Sequence, residues 1–251
     1  MFTYHSETLT AGTPVDVVVV DSVDSTNTYA KTMPLAKAAL VLAYEQTGGY
    51  GRFKRPWRSA RGDIMMTLAL PAPALRGDTL LSLYTGYCLV KAIEQYVSAG
   101  VSIKYPNDIY IGDAKLAGIL IESLYSAAGA IERMVIGIGI NVSGDAIAPD
   151  SGFAATSLAA HGYNGDVNEL INGFIKMFFR YQAYLSGETA LFIELMRPYH
   201  RLYGTKRRFV HEGKEMTGVI KEITETGALM ITFPDGVTRP VSNVTFSSQQ
   251  T

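Results

Sequence analysis

The segment Gln46-Thr-Gly-Gly-Tyr-Gly-Arg-Phe-Lys-Arg-Pro-Trp-Arg58 combines glycines with a cluster of positive charge. Glycines at positions 48, 49 and 51 permit positive φ angles and a close approach of the backbone to a ligand. Basic residues then follow in quick succession, and no acid precedes Asp63: Arg52, Lys54, Arg55, Arg58 and Arg61. Such a loop suits a polyanion such as a triphosphate, through charge-assisted hydrogen bonds. It matches neither the Walker A nor the GxGxxG pattern.

Trp57 is the sole tryptophan of the chain, and it stands inside this basic loop. The position favours a stacking surface, or an anchor for a folding loop, over a solvated hairpin tip. Basic and aromatic residues together are also typical of nucleic-acid binding. The short length of the patch and the net charge of −1 argue against that alternative.

A second segment runs from Lys104 to Glu122 and contains the turn Pro106-Asn107-Asp108. Lys115 precedes an uncharged run, Leu116–Ile121, that reads as a buried strand. A lysine entering such a strand either extends its amine to solvent or points into a pocket, and composition alone favours the first alternative.

Two further segments have a structural explanation that suffices by itself. Ser25-Thr26-Asn27 is typical of a helix cap. The glycines of Val135-Ile-Gly-Ile-Gly-Ile-Asn-Val142 are typical of close packing on a strand, with Asn141 in a turn at its end.

Apolar patterning predicts the elements that position these segments. Strands are expected at Val15–Val20, Leu40–Tyr44, Ile64–Leu70, Ser102–Tyr105, Ile109–Ile111, Lys115–Leu124 and Met134–Ile140. Helices are expected after Asn27, where Pro34 keeps the helix short or kinked, and at Asp78–Ser98, Val167–Leu185 and Ala190–Leu202. The order predicts an α+β fold, a mixed central sheet with helices on one face.

After Gly204 the pattern changes to short alternating strands, Lys206–Val210, Met216–Ile223, Ala228–Phe233 and Thr238–Val241. These strands predict a small β-barrel docked on the larger part. We therefore divide the chain into residues 1–204 and a small C-terminal domain, residues 205–251.

Composition excludes several classes of protein. Hydrophobic residues make up 47% and charged residues 18%, which predicts a folded core. The single Cys88 excludes an internal disulfide, and the four scattered histidines argue against a zinc enzyme. The polar start lacks the pattern of a signal peptide, so we expect a cytoplasmic protein with no membrane or nucleic-acid partner.

The joint order of the motifs resembles the biotin protein ligases. It runs Asp-Ser-Thr-Asn, Gln-x-Gly-Gly-x-Gly-Arg-x-x-Arg-x-Trp, Lys-x-Pro-Asn-Asp with Lys-Leu-Ala-Gly-Ile-Leu-x-Glu, then Gly-Ile-Gly-x-Asn. The likeness covers Val15 to Val142. It implies a class II synthetase-like catalytic domain followed by an SH3-like barrel, in a short form without an N-terminal DNA-binding domain.

The resemblance implies an enzyme that activates biotin with ATP and Mg²⁺, without a tightly bound prosthetic group, and transfers biotin to a lysine of a biotin carboxyl carrier domain. The residues it assigns to biotin are Ser25, Thr26, Asn27, Gln46, Tyr50, Gly51, Arg52, Lys115 and Gly118. Those it assigns to ATP are Gly49, Arg52, Arg55, Trp57, Asn107, Asp108, Lys115 and Asn141. Arg52 and Lys115 would be catalytic, Asp108 would contact the metal, and a homodimer is left open.

The chain departs from the family pattern at the loop. The family commonly has a basic residue where this chain has Tyr50, and Phe53-Lys54 replaces the usual Arg-Gly.

Three alternative functions stay open: a lipoate protein ligase, which shares the fold and the acyl-adenylate chemistry, a DNA-binding biotin-dependent repressor, and an inactive biotin-binding protein.

Overall fold

A computed structural model describes residues 2–10, 12–34, 36–71, 78–145, 147, 154–242 and 244–246. Residues 247–251 of the expected C-terminal domain lie outside the described residues. The described part contains two β-sheets and four α-helices.

The larger sheet has seven strands: β1 (Val15–Val23), β2 (Ala38–Gln46), β3 (Ile64–Pro71), β4 (Val101–Lys104), β5 (Asp108–Ile111), β6 (Ala114–Tyr125) and β7 (Ile131–Ile140). Their order is β1-β2-β3-β7-β6-β5-β4. Only β1 and β2 run parallel, and the other neighbours are antiparallel. The mixed sheet expected from the sequence is therefore confirmed.

The helices are α1 (Thr26–Thr32), α2 (Asp78–Ile93), α3 (Val167–Arg180) and α4 (Thr189–Met196). No helix among the described residues is long and apolar enough to cross a bilayer. α1 ends early because Met33 precedes Pro34 and adopts an extended conformation.

Three expected helices were too long at their C-terminal ends. After α2 the amides of Gln95 and Tyr96 bond to the third residue back, which tightens the last turn. After α3 a separate 3-10 turn occupies Gln182–Leu185. After α4 a 3-10 turn contains Pro198, which lacks the amide that an α-helix needs.

The two faces of the larger sheet carry different helices. Leu40 and Leu42 of β2 face the main core with α2 and α3, whereas Val41 between them packs with Ala30 of α1 on the opposite face. α3 presents an apolar stripe to the main core: Val167, Leu170, Ile171, Phe174, Ile175 and Phe178. The long helices thus share one face as expected, and short α1 leaves the rest of the opposite face free for a site.

The smaller sheet has five antiparallel strands, β8 (Lys206–His211), β9 (Lys214–Ile223), β10 (Leu229–Thr232), β11 (Thr238–Val241) and β12 (Thr245–Phe246). Their order is β11-β10-β9-β8-β12. The sequence missed the short β12. A closed barrel and a domain boundary after residue 204 stay predictions.

Tyr105 joins the smaller sheet to the turn that follows β4. Its hydroxyl donates a 2.9 Å hydrogen bond to the carbonyl of Gly227, and its ring packs on Phe246. Burial raises the pKa of Tyr105 to about 12, so the hydroxyl keeps its proton. The contact fixes the residue next to Pro106-Asn107-Asp108.

Tyr105→Phe should lower the free energy of unfolding by about 1–3 kcal/mol, because it leaves the buried Gly227 carbonyl without its donor. Urea unfolding measures the change. The matched control is Tyr125→Phe, whose ring is 60% exposed and should change little. Equal stability of the two variants would contradict the proposed role of this contact.

Candidate functional site

A patch without side chains lies on the face of the larger sheet that carries α1. Gly118 of β6 and Gly139 of β7 are direct partners across the ladder, and Gly137 lies two residues before Gly139 on the same face. Directly paired residues of antiparallel strands point to the same side. The glycines therefore leave the backbone bare over two adjacent strands.

The indole of Trp57 lies on this bare patch. A Cβ at Gly139 would come within 2.5 Å of Trp57 Cε2 and Nε1, and one at Gly118 within 3.1 Å of Cζ3. Real Cβ atoms essentially never show the distance at Gly139, and the distance at Gly118 is tighter than most real Cβ contacts. The expectation that the glycines of β7 mark close packing is confirmed, and the packing partner at Gly139 is the tryptophan of the basic loop.

Asn27 occupies the neighbouring position above Gly137, where a Cβ would collide with its amide. The Asn27 Nδ2 donates to Glu122 Oε2 at 2.9 Å, and its Oδ1 lies 2.7 Å from the Thr67 hydroxyl. Thr67 is buried in β3, directly opposite Gly137. The side chain of Asn27 is therefore fixed at both ends.

Thr26 and Gln46 form the next part of the same polar group. The Thr26 amide and hydroxyl both donate to Gln46 Oε1, at 2.8 and 3.1 Å. The Thr26 hydroxyl is also 2.8 Å from that of Thr67. Ser25 is the N-cap of α1, but its side chain makes no capping hydrogen bond. The amide of Gln46 presents its Nε2 toward Gly49.

The basic loop folds as an irregular hairpin. Tyr50 pairs with Pro56, the Gly51 amide donates to the Arg55 carbonyl at 2.8 Å, and the Trp57 amide donates to Gly49 at 2.9 Å. Phe53 lies at its tip and is 67% exposed. An open cleft of about 720 Å³ follows the hairpin and is lined by Gln46–Tyr50, Lys54 and Pro56–Ala60.

Lys115 points into the site rather than into solvent. Its Nζ lies 2.6 Å from Asp108 Oδ1 and 5.3 Å from the centre of a Trp57 ring, and its side chain is 25% exposed. A cation over the face of an indole is attracted by the ring. This geometry contradicts the reading from composition, in which the lysine reaches out to water.

Arg52 of the hairpin contacts the turn between β4 and β5. Its Nη1 is 3.4 Å from Asn107 Oδ1, while Asn107 Nδ2 is held by the Ile119 carbonyl at 2.9 Å. Burial lowers the pKa of the Arg52 guanidinium, and the attraction of Asp108 opposes that shift. Burial likewise lowers the pKa of nearby Lys104. The carboxylate of Asp108 is thus surrounded by three cations, Arg52, Lys104 and Lys115. The cluster as a whole has an excess of positive charge.

The sequence assigned a metal contact to Asp108, and this assignment stays a prediction. Within the described ranges no group of three or more His, Cys, Asp or Glu residues gathers at one place. Mg²⁺ commonly binds through one or two carboxylates together with substrate phosphates and water. A single carboxylate beside a cationic cleft fits an ion that arrives with a nucleotide, and it does not form a metal cage of its own.

Two expected site residues are engaged elsewhere. Asn141 Nδ2 donates to the Thr156 carbonyl at 3.0 Å, which ties the end of β7 to the segment after residue 154. The Arg55 guanidinium lies over the exposed Phe53 ring at the loop tip. Their contacts with a nucleotide stay predictions.

Three site residues escaped the sequence analysis: Lys31, Thr67 and Glu122. Thr67 is the one polar residue in the otherwise apolar β3, and that interruption was the available signal. Glu122 is the last residue of the motif Lys-Leu-Ala-Gly-Ile-Leu-x-Glu, but the sequence suggested no role for it. Lys31 gave no signal, because a lysine on a short helix is usually solvated.

Sequence comparisons identify similar proteins. The model of the biotin/lipoate A/B protein ligase family matches residues 19–141. A biotin–[acetyl-CoA-carboxylase] ligase of Paracoccus denitrificans is 32% identical over 234 residues, covering 85% of this chain and 92% of the relative. The bifunctional ligase/repressor BirA of Escherichia coli strain K12 is 30% identical over 244 residues, covering 89% of this chain and 71% of the relative.

Structural comparison agrees at the level of the fold. The biotin protein ligase from Aquifex aeolicus, solved in complex with biotin and ATP, superimposes with a TM-score of 0.81 at 24% identity. The superposition covers 92% of this chain and 97% of the other. At this identity the likeness shows a common fold.

Gly139→Ala should displace Trp57 from the sheet, because the new methyl group would overlap the indole. As the sole tryptophan, Trp57 reports its own surroundings by fluorescence. We expect a red-shifted emission, greater quenching by acrylamide and a loss of about 1–3 kcal/mol in stability. Gly100→Ala, where a Cβ meets nothing within 4 Å, is the control. Unchanged emission of Gly139→Ala would show that the indole does not rest there.

Proposed function

The chain belongs to the biotin protein ligase family, and on that premise we propose that it activates biotin with ATP to biotinyl-5′-AMP and transfers biotin to a specific lysine of a biotin carboxyl carrier protein. One observation carries the proposal. A polar cluster suited to a cyclic urea and a cationic cluster suited to phosphates lie on the same sheet face, on either side of Trp57 and Gly139. Biotinyl-AMP carries both kinds of group, a ureido ring and a phosphate.

We assign the ureido end of biotin to Ser25, Thr26, Asn27 and Gln46. A buried cyclic urea needs both hydrogen-bond donors and acceptors, and hydroxyl and amide groups supply both. Gln46 Oε1 already accepts two hydrogen bonds from Thr26, which fixes the amide and leaves Nε2 as a donor toward the loop. Tyr50, Gly51 and Gly118 complete the proposed biotin contacts.

The phosphate end is assigned to Arg52 and Lys115, with Asn107 and Asp108 beside the nucleotide. Their burial and proximity support this role, since charge-assisted hydrogen bonds are strongest where water is partly excluded. The further proposed nucleotide contacts are Gly49, Arg55, Trp57 and Asn141. Asp108 would hold Mg²⁺, which lowers the repulsion between the phosphates and the incoming carboxylate.

The first chemical step joins two anions. A biotin carboxylate oxygen attacks the α-phosphorus of ATP, an O–P bond forms, the α–β bridging P–O bond breaks, and pyrophosphate leaves. Arg52 and Lys115 neutralise the carboxylate and the α-phosphate, which brings the reactants together and stabilises developing charge. Before ligands bind, Asp108 holds Lys115 at 2.6 Å, so the amine is already oriented.

The second step transfers biotin to the carrier. The carrier lysine, as a neutral amine, attacks the carbonyl of the mixed anhydride, AMP leaves, and the new amide gives up a proton to solvent. The basic hairpin would cover the anhydride between the two steps and protect it from water. The glycines and the exposed tip at Phe53 are consistent with a loop that changes position.

Further parts of the proposal concern partners and location. The near-neutral charge supports an enzyme that does not bind nucleic acid, and the single cysteine supports a cytoplasmic location. A homodimer and a lack of membrane association are also proposed. Electrophoretic retardation with DNA, light scattering and vesicle sedimentation test these parts separately.

The proposed function is tested by incubating the protein with MgATP, a biotin carboxyl carrier domain and either biotin or lipoate. We expect biotin on the carrier, seen by mass spectrometry, and no transfer to a carrier whose acceptor lysine is replaced by arginine. Preferential transfer of lipoate would favour the lipoate ligase alternative. Binding of biotin without transfer or pyrophosphate release would indicate an inactive binding protein.

Lys115→Ala should slow adenylate formation by about 3–4 kcal/mol of activation free energy, the effect of losing one preorganised donor at developing charge. Single-turnover pyrophosphate release at saturating substrates measures the barrier. Lys221→Ala, an exposed lysine of β9, is the matched control. A rate within about twofold of that control would mean that Lys115 only packs against Trp57.

A further inference from the structure

Lys31, Tyr50 and Glu122 form a cluster that links three separate elements. Lys31 Nζ lies 2.6 Å from Glu122 Oε1, and the Tyr50 hydroxyl lies 3.0 Å from Glu122 Oε2 and 3.3 Å from Lys31 Nζ. Lys31 belongs to α1, Tyr50 to the basic hairpin and Glu122 to β6. We call these three residues the clasp.

The clasp is partly shielded from water. The side chains of Lys31 and Glu122 are 25% and 22% exposed, well below those of the surface pair Lys37–Asp16 at 58% and 59%. Burial alone would raise the pKa of Glu122, but contacts with Lys31 and Asn27 outweigh it and hold that pKa below its ordinary value. Burial alone would lower the pKa of Lys31, but contacts with Glu122 and Tyr50 raise it overall. Both groups stay charged at neutral pH.

Glu122 connects the clasp to Asn27, a proposed biotin contact. Its Oε2 accepts the hydrogen bond from Asn27 Nδ2 at 2.9 Å, and that bond turns Asn27 Oδ1 toward Thr67. The position of the Glu122 carboxylate therefore fixes the orientation of the Asn27 amide, with Nδ2 toward Glu122 and Oδ1 toward Thr67. The same carboxylate holds the Tyr50 hydroxyl and with it the biotin side of the hairpin.

Lys31 is the cation on which the cluster depends. Lys54 also approaches Glu122, but its Nζ is 3.9 Å away, its side chain is 74% exposed, and it lies over the Tyr50 ring. An exposed lysine at that distance is screened by solvent and contributes little. Without Lys31 the half-buried Glu122 would lose its main partner and would compete for other donors, Asn27 among them.

We propose that Lys31 is a positioning residue for biotin binding. It acts through Glu122, fixing the Asn27 amide and the Tyr50 side of the hairpin, without touching the substrate. The inference rests on the proposed function, because it takes Asn27 and Tyr50 as biotin contacts. It adds a residue on α1 that sets the affinity for biotin and leaves the phosphate end of the cleft unaffected.

The geometry also predicts a second substitution, at position 50, that restores the affinity for biotin when Lys31 is replaced. Lys31 and Lys54 both approach the Tyr50 ring, whose hydroxyl lies at the Glu122 carboxylate. An arginine at position 50 is long enough to place its guanidinium on the same carboxylate, in a geometry that favours two hydrogen bonds. The lost positive charge would then be supplied from the loop.

The test measures equilibrium dissociation constants for biotin alone and for ATP alone by calorimetry, so that it does not depend on catalysis. Lys31→Met should weaken biotin binding about tenfold, as expected for losing a charge-assisted contact, and change ATP binding by less than about twofold. Lys31→Arg should stay close to wild type. Tyr50→Arg in the Lys31→Met background should recover most of the affinity for biotin. Lys37→Met, which breaks the exposed pair with Asp16, is the control and should leave both constants unchanged.

Several outcomes overturn the inference: equal biotin affinity for Lys31→Met and Lys37→Met, equal losses of affinity for biotin and ATP, or additive losses of biotin affinity when Tyr50→Arg is combined with Lys31→Met.

If Lys31→Met unfolds at the assay temperature, Tyr50→Phe decides, because it keeps the Lys31–Glu122 ion pair and removes only the contacts of the Tyr50 hydroxyl. It should weaken biotin binding by about threefold without lowering the melting temperature, and unchanged binding overturns the clasp. Biotin binding without biotinyl-AMP formation would reject the proposed function alone.

Discussion

The site depends on the absence of side chains at Gly118, Gly137 and Gly139. An indole and an amide can rest on a β-sheet at backbone distance only where the sheet presents no Cβ atoms. Trp57 uses two of these positions and Asn27 uses the third. The glycines thus bring the basic hairpin and helix α1 onto one surface of the sheet, beside Lys115 of β6.

The charged residues around the site form two groups, one at each end. At one end Glu122 is balanced by Lys31, so the polar groups near Asn27 lie in a neutral, hydrogen-bonded environment. At the other end the single carboxylate of Asp108 faces Lys115 and the partly buried Arg52. A neutral ring system suits the first end and an anionic chain suits the second. Biotinyl-AMP carries its charge on the phosphate, away from the neutral ureido ring, which matches this division.

Much of this arrangement could be read from the sequence, because the strands are strongly apolar and the motifs occur in a specific order. The ends of the helices could not, since Gln95 and Pro198 change the hydrogen-bonding pattern locally after each apolar stripe. The orientation of Lys115 was open as well, because composition cannot tell a solvated amine from one held by a carboxylate and an indole. Lys31 was invisible, since its role arises from a contact with Glu122, 91 positions later along the chain.

Adenylation of biotin at this site is tested most directly by an experiment without the carrier. The protein is incubated with biotin, Mg²⁺ and ATP labelled at the α-phosphate, then passed rapidly through a desalting column. We expect labelled biotinyl-AMP that stays with the protein, forms together with an equal amount of pyrophosphate, and is converted to AMP when the carrier domain is added. Pyrophosphate release that does not require biotin, or no labelled adduct at saturating biotin, would contradict adenylation of biotin at this site.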